Sequence, residues 1–156
     1  MSKISTPVKT GETAPDFTLS DINGEKFTLS DFKGKKVLLS FHPLAWTDVC
    51  AQQMESLEAN ADVFESLNTV AAGINVDPQP GKKTWAGILV IKKVRLLSDF
   101  WPHGEVSKTY GLFREKQGFS ERANVIVGKD GKVAFVKVYP ISELPDIREI
   151  IEELKK

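Results

Sequence analysis

A chain of 156 residues, 41% hydrophobic and 27% charged, is long and apolar enough to bury one ordinary core and too apolar for disorder. Lysine plus arginine and aspartate plus glutamate both number 21, and this zero balance excludes the basic footprint of a nucleic-acid or anionic-membrane binder. A single cysteine excludes an intramolecular disulfide, and with it a secreted disulfide scaffold.

The opening MSKISTPVKT has no apolar stretch of the kind a signal peptide needs. The longest apolar run, around AGILVI, is too short to cross a bilayer. The expectation is one domain over 1–156, soluble, in a reducing compartment, the cytoplasm.

In chain order, Phe17 and Leu19, then Phe27 and Leu29, alternate with polar residues on either side of Asn23-Gly24, a pair suited to the positive φ of a tight hairpin turn. Ser30 is placed to cap a short helical turn before Gly34. KKVLLSFH reads as a strand buried on both faces. From 49 to 67 the period changes, with Met54, Leu57, Ala61, Phe64 and Leu67 in steps of three and four, which predicts one amphipathic helix. A buried strand follows at 69–76, then a DPQPG loop and a helix over 81–90. VRLLSD predicts a strand. GEVSKTYG predicts a short helix with Val106 and Tyr110 on one face and Gly111 as its stop. ANVIVGKDGKVAFVKVY predicts two strands about an Asp-Gly turn. The last helix starts at Pro145, carries Ile147, Ile150, Ile151 and Leu154 as a stripe, and ends in two lysines. Strands alternating with helices predict an α/β sandwich: a central mixed β-sheet with helices on both faces and an N-terminal β-hairpin.

PGKKTWAG contains a Gly-Lys pair, but Lys82 has neither the upstream glycine nor the following Ser or Thr of a phosphate-binding loop. The chemistry gathers instead at HPLAWTDVC. Chain order sets Cys50 just beyond a central strand, in the first turn of the next helix, at the sheet edge where α/β proteins bind ligands. Unpaired amides and the helix dipole stabilise a thiolate there. The same position also suits an inert core cysteine. Thr47 can cap the helix or point its hydroxyl at the sulfur and a substrate oxygen, and Pro43 can end a strand or wall the sulfur from water. A thioredoxin-type exchange site needs a second cysteine where Gln53 stands, and the proline expected before ANVIV is missing. A binding module that uses the fold without turnover is the remaining alternative.

Pro43, Thr47 and Cys50 together match the Pro-x-x-x-Thr-x-x-Cys pattern of the peroxiredoxins. The resemblance extends along GETAPDFTLSDINGEKFTLSDFKGKKVLLSFHPLAWTDVC, LLSDFWPHGEVSKTYG and RANVIVGKDGKV. The chain thus resembles the alkyl hydroperoxide reductase and thiol-specific antioxidant family. SDFWPHG is most similar to its one-cysteine, E-type alkyl hydroperoxide reductase branch.

The resemblance implies a thioredoxin-like fold and an antioxidant thiol peroxidase acting on hydrogen peroxide and organic hydroperoxides. Cys50 would be the attacking cysteine, with Thr47 bonding peroxide and thiolate and Pro43 shielding the sulfur. Arg122 would be the active-site arginine, which the residues alone do not separate from Arg95, Arg114 or Arg148. The amides of Val49 and Cys50 would help align the peroxide. Gln53, where many relatives carry glutamate, would orient Arg122. His42 is either a strand-end histidine bonded to backbone or a proton-transfer group, and Asp48 is expected to face solvent. With no second cysteine, the resolving thiol would come from outside: a thioredoxin-like or glutaredoxin-like protein, or a low-molecular-weight thiol. A homodimer is expected, with Trp46 or Trp101 at the contact. No cofactor is implied, and one cysteine with two well-separated histidines gives no metal-binding set.

Overall fold

The computed structural model describes residues 6–156, so half of the N-terminal stretch read above lies outside the described residues. Nine strands and five α-helices follow in the order β1 (Thr18–Asp21), β2 (Lys26–Thr28), β3 (Lys36–Phe41), α1 (Asp48–Ala59), α2 (Ala61–Ser66), β4 (Thr69–Asn75), α3 (Gln79–Leu89), β5 (Arg95–Ser98), α4 (Glu105–Thr109), β6 (Phe113–Arg114), β7 (Phe119–Ser120), β8 (Arg122–Val127), β9 (Val133–Tyr139) and α5 (Ile147–Leu154). Seven strands form one sheet in the order β2-β1-β5-β4-β3-β8-β9. β3, β4 and β5 run parallel at its centre, and the pairs on either side are antiparallel, the mixed sheet expected.

Strand alternation divides the core in two. Val37, Leu39, Phe41, Ile74, Ala123 and Val125 point to one face, where they meet Phe27 of the hairpin, Val106 of α4 and Tyr110 just after it. Leu38 and Ile126 point to the other, against Met54 and Leu57 of α1, Phe64 of α2, Trp85 of α3 and Ile150 and Leu154 of α5. The same period of two sends Ser40 and His42 at the end of β3, and Arg122 at the start of β8, toward the α1 side. Gly73 on β4 lets α1 come close, because a Cβ there would collide with the Met54 sulfur.

Several boundaries differ from the sequence pattern, each for a local reason. Only Gly24 of the Asn23-Gly24 pair takes positive φ (79°). The hairpin loop is organised by Asp21, whose carboxylate accepts from the amides of Asn23 (2.8 Å) and Glu25 (3.0 Å). Ser30 caps nothing; it lies inside a 3₁₀ turn, Leu29–Phe32, and its amide donates to Asp16 from fourteen residues back. The helix expected over 49–67 is broken at Asn60, whose side chain turns back to Ser56 O (2.8 Å). α3 starts at Gln79, ahead of the expected 81, with Pro80 in its first turn. Asp146, not Pro145, opens α5, its carboxylate accepting from the Arg148 amide. The β6–β7 hairpin is additional; its strands are too short to show alternation.

Candidate active site

β3 ends at Phe41, and the segment from His42 to Thr47 carries the chain over the sheet edge into α1. Thr47 is the N-cap residue, with extended backbone (φ −115°, ψ 148°). The first helical bond runs from Ala51 N to Thr47 O, so the amides of Asp48, Val49 and Cys50 have no acceptor within the helix. Cys50 is therefore in the first turn, as the sequence order required, and its side chain is fully buried.

The sulfur faces a cation. Arg122 Nη1 lies 3.4 Å from Cys50 Sγ and donates to Gln53 Oε1 at 2.8 Å. Arg122 Nε donates to Ile141 O (2.9 Å), which fixes the guanidinium from behind. Gln53, one turn after Cys50, is itself anchored, its Nε2 donating to Ser40 Oγ (2.7 Å) and Phe41 O (3.2 Å). Among the described residues no carboxylate pairs with Arg122, so its charge is left for the thiol. Arg122 is 2% exposed, and its guanidinium remains charged at any ordinary pH.

The other expected residues are placed as follows. Pro43 is buried in the crossing segment and Val49 is half-buried. The Thr47 hydroxyl donates to Leu44 O (2.8 Å) rather than to the sulfur, and Trp46 before it has φ 67° and is 53% exposed. Asp48 is exposed, as expected. His42 is buried, with Nδ1 3.3 Å from Ser40 O and its ring stacked on Trp85 at 5.7 Å. Burial, then the charge of Lys82, hold its ionisation well below the usual histidine range, despite the Ser40 carbonyl. Trp101 is 81% exposed, and His103 bonds to Gly118 O.

Two residues outside the sequence expectations hold the segment in place. Asp77, just past β4, accepts from the Ala45 amide (2.7 Å) and from Asn75 Nδ2 (2.6 Å). Ser120 of the unforeseen β7 donates to His42 O (3.0 Å). An aspartate just beyond a strand adjoining β3 was a usable signal; a serine in a two-residue strand gave none.

A buried thiol in a helix first turn, faced by an arginine that no carboxylate among the described residues pairs, on a thioredoxin-like sandwich makes Cys50 the candidate for a redox site built on one sulfur. The family model described as AhpC/TSA family matches residues 10–136. Alkyl hydroperoxide reductase E of Mycobacterium tuberculosis (strain ATCC 25618 / H37Rv) is 40% identical over 142 residues, covering 90% of this chain and 92% of that protein. Peroxiredoxin Bcp of Escherichia coli (strain K12) is 32% identical over 136 residues, covering 83% and 85%. Among solved structures, the reduced 2-Cys peroxiredoxin of Plasmodium vivax superposes with a TM-score of 0.86 at 27% identity, over 96% of this chain and 81% of that one. The chain belongs to the AhpC/TSA family, the peroxiredoxins. Its activity class is that of an oxidoreductase, a thiol-dependent peroxidase, and its one cysteine fits a one-cysteine cycle.

Proposed function

We propose that the protein reduces hydrogen peroxide and organic hydroperoxides at Cys50 and is returned to its thiol form by an external thiol. The observation that carries this is the 3.4 Å approach of Arg122 Nη1 to the Cys50 sulfur. The thiolate attacks the terminal oxygen of ROOH. A sulfur–oxygen bond forms, the O–O bond breaks, and its electron pair leaves with RO⁻, which takes a proton from solvent. Arg122 stabilises the thiolate beforehand and the departing oxygen afterwards. The free amides of Val49 and Cys50 align the peroxide, and Thr47 joins them when its hydroxyl leaves Leu44 O. Pro43 keeps bulk water from the sulfur.

The product is Cys50 sulfenic acid. One external thiol converts it to a mixed disulfide with loss of water, and a second thiol releases Cys50 as the thiol. The reductant is a thioredoxin-like or glutaredoxin-like protein or a low-molecular-weight thiol. A cytoplasmic setting suits a cycle that consumes thiols. The single seven-stranded sheet supports reading 1–156 as one domain. A homodimer would cover exposed aromatics such as Trp46 and Trp101.

Stopped-flow mixing of reduced protein with hydrogen peroxide and with an organic hydroperoxide, read by tryptophan fluorescence, tests the reading. Oxidation orders of magnitude faster than that of free cysteine, absent in Cys50→Ser, is expected. A rate no better than free cysteine would return the protein to the class of binding modules.

A further inference from the structure

Lys82 is fully buried on the sheet-facing side of α3. Burying an ammonium strips its water, and proteins keep such groups paired with anions or do without them. Among the described residues no carboxylate comes within ion-pair distance of Lys82. Its Nζ donates to two main-chain carbonyls, Leu97 O on β5 (2.6 Å) and Gly73 O on β4 (3.4 Å). Gly73 is the residue against which the thiol helix packs: a Cβ there would meet Met54, one turn after Cys50, and the His42 ring at 3.3 Å. Trp85, one turn after Lys82, stacks on that same ring. Lys82 is thus built into the back wall of the thiol site.

We propose that Lys82 is a second internal cation of this site, a positioning residue that never touches the sulfur and favours the Cys50 thiolate through space while Arg122 favours it by contact. The proposal rests on Cys50 being the reacting thiol. It accounts for a lysine that packing alone would replace by methionine or leucine.

The charged groups around Lys82 decide its state. Burial pulls its ionisation down to about 7, and Asp77 beyond β4, Asp99 beyond β5 and Cys50 on α1 oppose that fall. Both carboxylates are engaged elsewhere, Asp77 with Ala45 and Asn75, and Asp99 with the amides of Val106 and Ser107 and the Ser107 hydroxyl. His42 at the end of β3 has its ionisation pulled well down by burial and by the charges of Lys82 and Arg122. The thiolate is therefore the one nearby anion that chemistry removes, because sulfenic acid formation takes the negative charge off the sulfur. Linkage makes the effect mutual: an ammonium that favours the thiolate is favoured by it to the same degree.

Two titrations test this without peroxide turnover. In the first, thiolate absorbance near 240 nm is followed against pH in the native protein and in Lys82→Met. The expected result is a midpoint moved to higher pH, equivalent to about a threefold weaker acid, as for an internal charge that makes no contact with the sulfur, at the effective dielectric of a protein interior. In the second, lysine side chains are labelled and the Lys82 signal is titrated by NMR in the reduced protein and in Cys50→Ser. The Lys82 midpoint is expected to fall by about the same factor when the thiolate is absent. A folded Lys82→Met with an unchanged thiol midpoint overturns the proposal. An unchanged Lys82 midpoint in Cys50→Ser overturns it too, whether or not Lys82→Met folds.

Discussion

Gln53 accepts from Arg122 through the very nitrogen, Nη1, that lies 3.4 Å from the Cys50 sulfur. A neutral acceptor orients the guanidinium without drawing on its charge. A glutamate there would orient it more firmly but place a second anion 2.8 Å from the cation the thiolate relies on. Gln53→Glu is therefore expected to slow peroxide reduction at pH 6 by about three- to tenfold and to slow it less at pH 9, because raising the pH favours the thiolate in both proteins. A pH series of stopped-flow rates checks this, and equal slowing at both pH values would count against it.

Arg122 is expected to dominate the rate. Arg122→Met removes the cation, its bond to Gln53 and its bond to Ile141 together, and should cost about a hundred- to a thousandfold in the second-order rate constant with hydrogen peroxide. Arg122→Lys restores a charge but not the planar fork that reaches sulfur, amide and carbonyl at once, so it should recover only part of the loss.

Thr47 tests whether the segment over the sulfur rearranges. Its hydroxyl bonds to Leu44 O, beside a tryptophan held at φ 67°, a conformation unfavourable for a bulky side chain. Thr47→Val has the same shape and no hydroxyl. If the hydroxyl engages peroxide in the reacting state, this variant should lose about ten- to a hundredfold in rate while melting within a few degrees of the native protein. Thr47→Ser should retain most of the activity. Equal rates for all three would confine Thr47 to the local turn.

The pH dependence of stability has a determined sign. Lys82 ionises near 7 in the folded protein and near 10.5 when exposed, so between those values the unfolded chain holds more protons and stability must rise with pH. Urea unfolding should show a rise on the order of a few kcal/mol from pH 7 to 10, flattened in Lys82→Met. Above pH 10 burial of Tyr110 and Tyr139, which pushes their ionisation upward, works the other way: the unfolded chain loses those protons first and stability falls. On the acid side His42, depressed by burial, contributes stability that is present above pH 6.5 and lost as pH falls below it. His42→Phe should flatten that limb.

Much of this architecture was legible because it repeats locally. Val37, Leu39 and Phe41 against Leu38 and Ser40 read as a two-sided strand, and Met54, Leu57 and Phe64 as apolar helical positions, though they fall on two helices, α1 and α2. What the pattern missed depends on single long-range bonds. Asn60 breaks the helix with its own side chain, and Asp16 reaches across fourteen residues to the Ser30 amide. In the site, chain order and helix electrostatics made Cys50 a candidate on equal terms with an inert core cysteine, and the Pro-x-x-x-Thr-x-x-Cys resemblance chose between them. Arg122, though, lies seventy-two residues away and came only from family resemblance, because no local signal separates it from three other arginines. Asp77 read as loop. Lys82 registered only as the lysine of an incomplete phosphate-binding pattern, since nothing in its neighbours shows that α3 turns it inward.

The bond from Arg122 Nε to Ile141 O reaches past the end of β9 into the connection that leads to α5. No side chain beyond Tyr139 needs to meet peroxide, yet the aim of the guanidinium depends on that connection staying where it is. A protease nick after Tyr139, or a fusion partner that tugs the C-terminus away, would leave the cysteine, the threonine and the arginine all present while loosening the clamp that points one at another. Tags and cuts at that end of the chain are alterations to the reaction centre.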